Sequence, residues 1–168
     1  MFDLALPPTG GFDDDRPRST SATPALGPEP AARDVERLVA RLRAHHLRPT
    51  RQRIDLLHVL TARGDRHVSA EVVYEEALAV GASVSLATVY NTLKQFTEAG
   101  LLGELAVSGA KSFFDTRVDP HHHFFIEDEG RMIDLESETI EISRLPDPPE
   151  GMEIVGFDVV VRLARKRA

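Results

Sequence analysis

At Gly100 the hydrophobic period of this chain changes, and that change limits the folds open to it more than any other feature. Upstream, apolar residues recur at helical spacing; downstream they fall into short alternating runs. "DVERLVARLRAHHL" puts Val35, Leu38, Val39 and Leu42 on one stripe, with Arg37, Arg41 and Arg43 mostly off it. "RPTRQRIDLLHVLTARG" restarts after Pro49 with Thr50 as N-cap, carries the ladder Ile54, Leu57, Val59, Leu60, and stops at Gly64. "VSAEVVYEEALAVG" begins at Ser69, runs through Val72, Val73 and Leu78, and ends at Gly81. "SVSLATVYNTLKQFTEAG" starts near Ser85, with Val89, Leu93 and Phe96 at helical spacing. Beyond Gly100, "LLGELAVSGAKSFFD" predicts a hairpin of strands Leu101–Val107 and Lys111–Asp115 about Ser108-Gly109-Ala110.

Consecutive short helices closed by a hairpin are the order of a winged helix-turn-helix, which offers its last helix to a DNA groove. Further on, "HHHFFIED" and "RMIDLE" read as strands around Glu129-Gly130, "SETIEISRL" fits either state, and "GMEIVGFDVVVRLARK" alternates like a long final strand. Residues 1–30, rich in Pro, Gly, Ser, Thr and Asp, read as a disordered arm. The expected fold is α+β, with the arm over 1–30, a winged-helix DNA-binding domain over 31–116 and a small α/β domain over 117–168.

A chain of 168 residues, 42% hydrophobic, suits two small cores of roughly 80 residues each. It has no cysteine, so disulfides, thiolate zinc sites and a cysteine nucleophile are excluded, and any metal must be held by nitrogen and oxygen. The sequence shows neither a signal-like start nor an apolar run of membrane-spanning length, which predicts a soluble, cytoplasmic protein with no membrane partner. The net charge of −7 is unevenly placed: residues 31–66 hold nine arginines against four acids, residues 119–155 eleven acids against two arginines. The first stretch suits phosphate and the second attracts cations.

On the predicted helix near 85–98, Ser85, Thr88, Tyr90, Asn91, Lys94 and Gln95 lie opposite the apolar face. They include groups that hydrogen-bond base edges or phosphate, and Tyr90 can touch a thymine methyl. Arg48, Arg51 and Arg53 are placed to anchor phosphate or enter a minor groove. A plain solvent-facing helix is the competing reading of that polar face. The hairpin, the helix count and the basic first third favour double-stranded DNA.

Three adjacent histidines, His121, His122 and His123, raise a separate question. On a strand alternate residues share a face, so His121 and His123 can converge on one ion while His122 points away. Imidazole and carboxylate suit Fe2+ or Mn2+ and bind Zn2+ adventitiously. Haem is the other candidate, because imidazole is a normal axial ligand and Phe124 and Phe125 offer apolar contact. His45, His46 and His58 read as ordinary structural histidines.

Together "HVSAEVVYEEALAVGASVSLATVYNTLKQFTEAGLL", "GAKSFFD" and "HHHFFIEDEGRMIDLE" resemble the ferric uptake regulator (Fur) superfamily over roughly residues 35 to 165. The histidine trio without cysteine is most similar to its iron response regulator (Irr) branch. The resemblance implies a homodimeric repressor whose second domain dimerises and senses a ligand. It would bind AT-rich inverted repeats upstream of haem and iron metabolism genes. It puts Tyr90 on a thymine and Arg48 near the minor groove, while Asn91 replaces a frequent arginine, so the bases read differ from those of a typical member. It implies a regulatory metal set of His67, Asp115, His121 and His123, part of a second metal site at His122 and Glu141, and haem sensing through His121, His122 and His123. Gly156 stands where relatives often have a histidine of that second site, and Ile126 and Glu129 occupy places of the cysteines of a structural zinc, which is therefore not expected. Within the family a manganese or peroxide sensor is the nearest alternative. The rival from another class is a metal-dependent hydrolase using Glu127 or Asp128 as base, and a third reading is a metal or haem store. The hydrolase leaves the first 110 residues without a purpose and the store leaves the Tyr90 helix unexplained, so no enzyme is expected.

Overall fold

The computed structural model describes residues 31–107, 112–136 and 140–166. The arm over 1–30, the hairpin turn at Ser108-Gly109-Ala110 and the start of "SETIEISRL" lie outside the described residues. The chain runs through α1 (Ala32–Ala44), α2 (Arg51–Thr61), β1 (His67–Val68), α3 (Ala70–Ala79), α4 (Leu86–Glu98), β2 (Gly103–Ala106) and β3 (Ser112–Asp115). A second group follows: β4 (His122–Ile126), β5 (Arg131–Leu135) and β6 (Val160–Leu163).

The helix starts are set by side chains that satisfy otherwise unpaired amides. Thr50 accepts from the Arg53 amide and Ser69 from Val72, the two caps expected from the sequence, and Ser85, near the expected start of the last helix, accepts from Thr88. At the C-termini of α3 and α4, Gly81 and Gly100 take positive φ of 81° and 71°, and the next amides reach back from Ala82 to Ala77 (2.9 Å) and from Leu101 to Phe96 (2.8 Å). The helices enclose a core that includes Leu42, Leu56, Leu60, Val73, Leu93 and Phe96.

The buried stripe of α3 differs from the expected one. Val73 is buried, but Val72 and Leu78 are exposed, and Ala70, Glu76 and Ala77 turn inward instead. The reason is a buried ion cluster. Glu76 receives Arg66 at 2.9 and 2.6 Å and Arg63 at 3.0 Å, so the helix rotates a carboxylate into the core. Unpaired buried arginines would cost more than two exposed aliphatic side chains.

The hairpin also gains a strand. β1 pairs with β3 antiparallel, giving the order β1-β3-β2, with His67 and Gly103 on either side of Asp115. The second sheet has the order β5-β4-β6, with β6 parallel to β4. The expected long final strand shrinks to Val160–Leu163, because those four residues are the ones paired with His123–Ile126 of a five-residue β4. Residues 140–159 form no helix or strand, and Met152, Ile154, Val155 and Phe157 in that stretch are exposed. No helix among the described residues is long and apolar enough to cross a membrane.

Candidate metal centre

Two cross-strand pairs build the site. In an antiparallel ladder directly opposed residues point to the same face, so the register His67↔Asp115 of the first sheet places imidazole beside carboxylate. The register His123↔Asp134 does the same in the second sheet. His121, in the segment joining β3 to β4, completes the group. The alternation of β4 sends His121 and His123 to this side and His122 to the other, where its ring lies 5.7 Å from that of Phe157.

The distances define a focus. Asp115 Oδ2 lies 3.3 Å from His67 Nε2, 3.0 Å from His121 Nε2 and 3.3 Å from His123 Nε2. Asp134 Oδ1 lies 3.1 Å from His67 Nε2 and 3.7 Å from His121 Nε2. One ligand atom each from His67, His121, His123 and Asp134 falls within 4.8 Å of the others. The other oxygen of Asp115 accepts the Arg117 amide at 2.9 Å, which keeps Oδ2 turned toward the imidazoles. Gly103 faces Asp115 across the ladder, and its missing side chain leaves room: a Cβ there would sit 3.4 Å from that of Asp115.

His121 fixes its tautomer by donating from Nδ1 to the Asp119 carbonyl at 2.7 Å. Its Nε2 therefore presents a lone pair toward the carboxylates. The Nε2 atoms of His67 and His121 are buried without a hydrogen-bond partner despite those short distances. Lone pairs aimed at carboxylate oxygens inside a fold repel unless a cation lies between them. Burial lowers the His123 pKa, helped by the charges of His121 and His67 and opposed by Asp115. Burial alone would raise Asp115, but the neighbouring His67 imidazole and the hydrogen bonds from the Arg117 amide and His123 hold it below the usual carboxylate value. The donor set thus favours a neutral nitrogen and an ionised oxygen, the protonation states a metal needs.

Asp134 is the member that sequence reasoning missed. Its only signal is its place on the inward face of β5, which requires the register of β4 and β5. His122 and Glu141 take part in no group of three or more metal-ligating side chains among the described residues; Glu141 is exposed. His122 and Gly156 line a cavity of about 810 Å³ together with Ile140, Ile142 and Phe157, and Asp115, His121 and His123 line it as well. The histidine trio is thereby split, two rings toward the carboxylates and one toward Phe157. Glu127 and Asp128, the bases of the hydrolase reading, are turned to Arg162 and to the Arg165 amide beyond the other end of β4.

Among the residues expected to meet DNA, Tyr90, Asn91 and Lys94 form an exposed stripe on α4 opposite the buried Val89, Leu93 and Phe96. Ser85 caps that helix and Thr88 is half-buried in its first turn. Arg48 is exposed. Arg51 pairs with buried Asp55 at 2.9 Å, and Arg53 donates to the Arg48 carbonyl and, at 2.8 Å, to Gln95, bracing α2 against α4.

A winged helix carrying a nitrogen-and-oxygen pocket where its sheet meets a second one defines a two-lobed α+β protein. The chain belongs to the ferric uptake regulator family, whose model matches residues 44–161 and whose members are metal-responsive transcription regulators, not enzymes. It is 34% identical over 128 residues to the ferric uptake regulation protein of Pseudomonas aeruginosa, covering 75% of this chain and 96% of that one. It is 38% identical over 96 residues to the protein of the same description from Shigella flexneri, covering 56% of this chain. The match spans 65% of the length of that relative. Among solved structures it resembles the Pseudomonas aeruginosa ferric uptake regulator with manganese, at a TM-score of 0.62 and 30% identity, over 77% of this chain and 98% of that one.

Proposed function

We propose that this protein is a homodimeric, DNA-binding transcriptional repressor whose hold on an AT-rich inverted repeat is set by a divalent ion, Fe2+ or Mn2+, bound by His67, Asp115, His121, His123 and Asp134. The observation that carries the reading is the convergence of three Nε2 atoms on two carboxylates, with the Nε2 atoms of His67 and His121 buried and lacking hydrogen bonds. Nitrogen and oxygen donors suit these ions, and the related Pseudomonas structure is described with manganese. Zn2+ would enter the same set in vitro.

The mechanism follows from where the ligands come from. Asp115 and His67 belong to the winged-helix sheet, His123 and Asp134 to the second sheet. An ion shared by all of them fixes the angle between the two sheets. In a two-fold dimer that angle sets the spacing of the two α4 helices, hence their fit to two half-sites. A tenfold change in DNA affinity needs only about 1.4 kcal/mol of preference for one angle. The exposed Tyr90, Asn91 and Lys94 read bases, Ser85 and Thr88 take phosphate at the helix start, Arg48 lies nearest a minor groove, and Arg51 and Arg53 hold the first contact surface in place. The winged-helix unit over 31–116 carries this interface, and the unit over 117–168 carries the dimer contact through Met152, Ile154, Val155 and Phe157.

A second reading concerns haem, which the likeness to the iron response regulator branch would couple to control of haem and iron metabolism genes. Its support is His122, whose Nδ1 is buried without a partner beside Phe157 in the 810 Å³ cavity. His121 and His123, turned to the carboxylates, would serve the ion instead. The experiment that tests both measures DNA binding and visible spectra of the wild type with no ligand, Mn2+, Fe2+ or haem, beside H121A/H123A and H122A. The expected result is a metal response lost in H121A/H123A and kept in H122A. An intact response in H121A/H123A removes the metal reading, and a haem spectrum unchanged in H122A removes the haem reading.

A further inference from the structure

The Tyr90 phenol, though exposed, has its hydrogen bond inside the protein: it donates to Glu71 Oε1 at 2.6 Å. Glu71 lies in the first turn of α3, whose N-cap Ser69 accepts the Val72 amide. That helix follows β1 after a single residue, so His67, Ser69 and Glu71 lie on one strand, cap and helix with no loop between them. Tyr90 sits among the outward residues of α4, next to Asn91 and one turn before Lys94. A carboxylate spent on this surface runs against what phosphate would favour, since it repels a DNA backbone. A charge-assisted bond of this length instead restricts where the ring can point.

We infer that Glu71 is a positioning residue for DNA recognition: it occupies the Tyr90 hydroxyl and holds the ring so that its edge, not its hydroxyl, is offered to a base. With the hydroxyl engaged, Tyr90 reads an apolar feature such as a thymine methyl rather than donating to any phosphate within reach, which would carry no sequence information. The bond leaves a signature independent of DNA. Through that hydrogen bond Glu71 raises the phenol above its ordinary value, with burial and the Glu71 charge acting in the same direction.

The inference rests on the DNA-binding reading, and the test separates the two. A duplex selected by wild-type protein from a random pool and a scrambled duplex of the same composition are compared in binding to wild type, E71A, E71Q and Y90F, with Mn2+ present. The phenol titrations are followed by ultraviolet absorbance in a Y74F background, which leaves Tyr90 alone. The expected result is a selected-to-scrambled ratio about tenfold lower in E71A, and restored to within about twofold in E71Q, whose amide oxygen still accepts the bond. The Tyr90 titration should move down in E71A. E71A and Y90F should not add when combined, because each removes the same bond. A ratio in E71A within twofold of wild type, a ratio not restored by E71Q, or an unmoved titration overturns the inference while the DNA reading stands. Failure of the wild type to prefer any duplex removes both.

Discussion

At the scale of single residues the site depends on protonation. His123 is held below the ordinary histidine value of 6.5 by burial, and Asp115 below the ordinary 3.8 by hydrogen bonds that outweigh burial. A group whose folded pKa is depressed contributes stability above its unfolded value and loses it as pH falls toward the folded one. For His123 the loss begins near pH 6.5; for Asp115 it begins near 3.8. Both work in one direction, and protons also compete with the ion for the same lone pairs. Thermal unfolding of the manganese-loaded protein should therefore show its Tm falling between about pH 7 and 5, with a smaller fall for H123A. A Tm independent of pH over that range in the wild type would leave His123 without this role.

At the scale of elements, the joint between β1, α2 and α3 bears on the site most directly. Glu76 neutralises Arg63 and Arg66 inside the helical unit. Arg66 itself donates its amide to Thr116 Oγ1 at 2.8 Å and accepts the Thr116 amide at 3.2 Å, next to His67 and Asp115. Replacing Glu76 by alanine strands two largely buried arginines and should cost about 3 kcal/mol in urea unfolding. Since the same joint aligns the β1–β3 register, Mn2+ affinity measured by calorimetry should weaken along with stability. A variant with full stability would show that the guanidiniums find other partners.

At the scale of the whole molecule, the apolar stretch at 152–157 is exposed among the described residues, with Val155 at 91%. Exposed apolar patches of this kind usually meet a partner surface. On the proposed dimer and operator, Val155→Glu should shift the protein from dimer to monomer in sedimentation and weaken binding to an inverted repeat far more than to a single half-site. A dimer unaffected by that charge would place the interface elsewhere on the second sheet.

The helices, their caps and the hairpin strands were legible in the chain because each is set by local chemistry: Thr50, Ser69 and Ser85 at the starts, glycines at the ends, and the switch of period at Gly100. The split of the histidine trio was legible too, since alternation is a property of any strand. What the chain could not disclose came from pairing between distant segments. β1 is two residues long, too short to leave a periodic trace, so in the sequence His67 and Asp115 are candidate ligands through the family resemblance alone, and the register that sets them opposite each other comes from the fold. Asp134 enters the site only through the β4–β5 register, and the rotation of α3 follows from arginines elsewhere in sequence. Local periodicity determined the elements; cross-strand register and buried charge, which no window of sequence contains, decided which of their side chains meet.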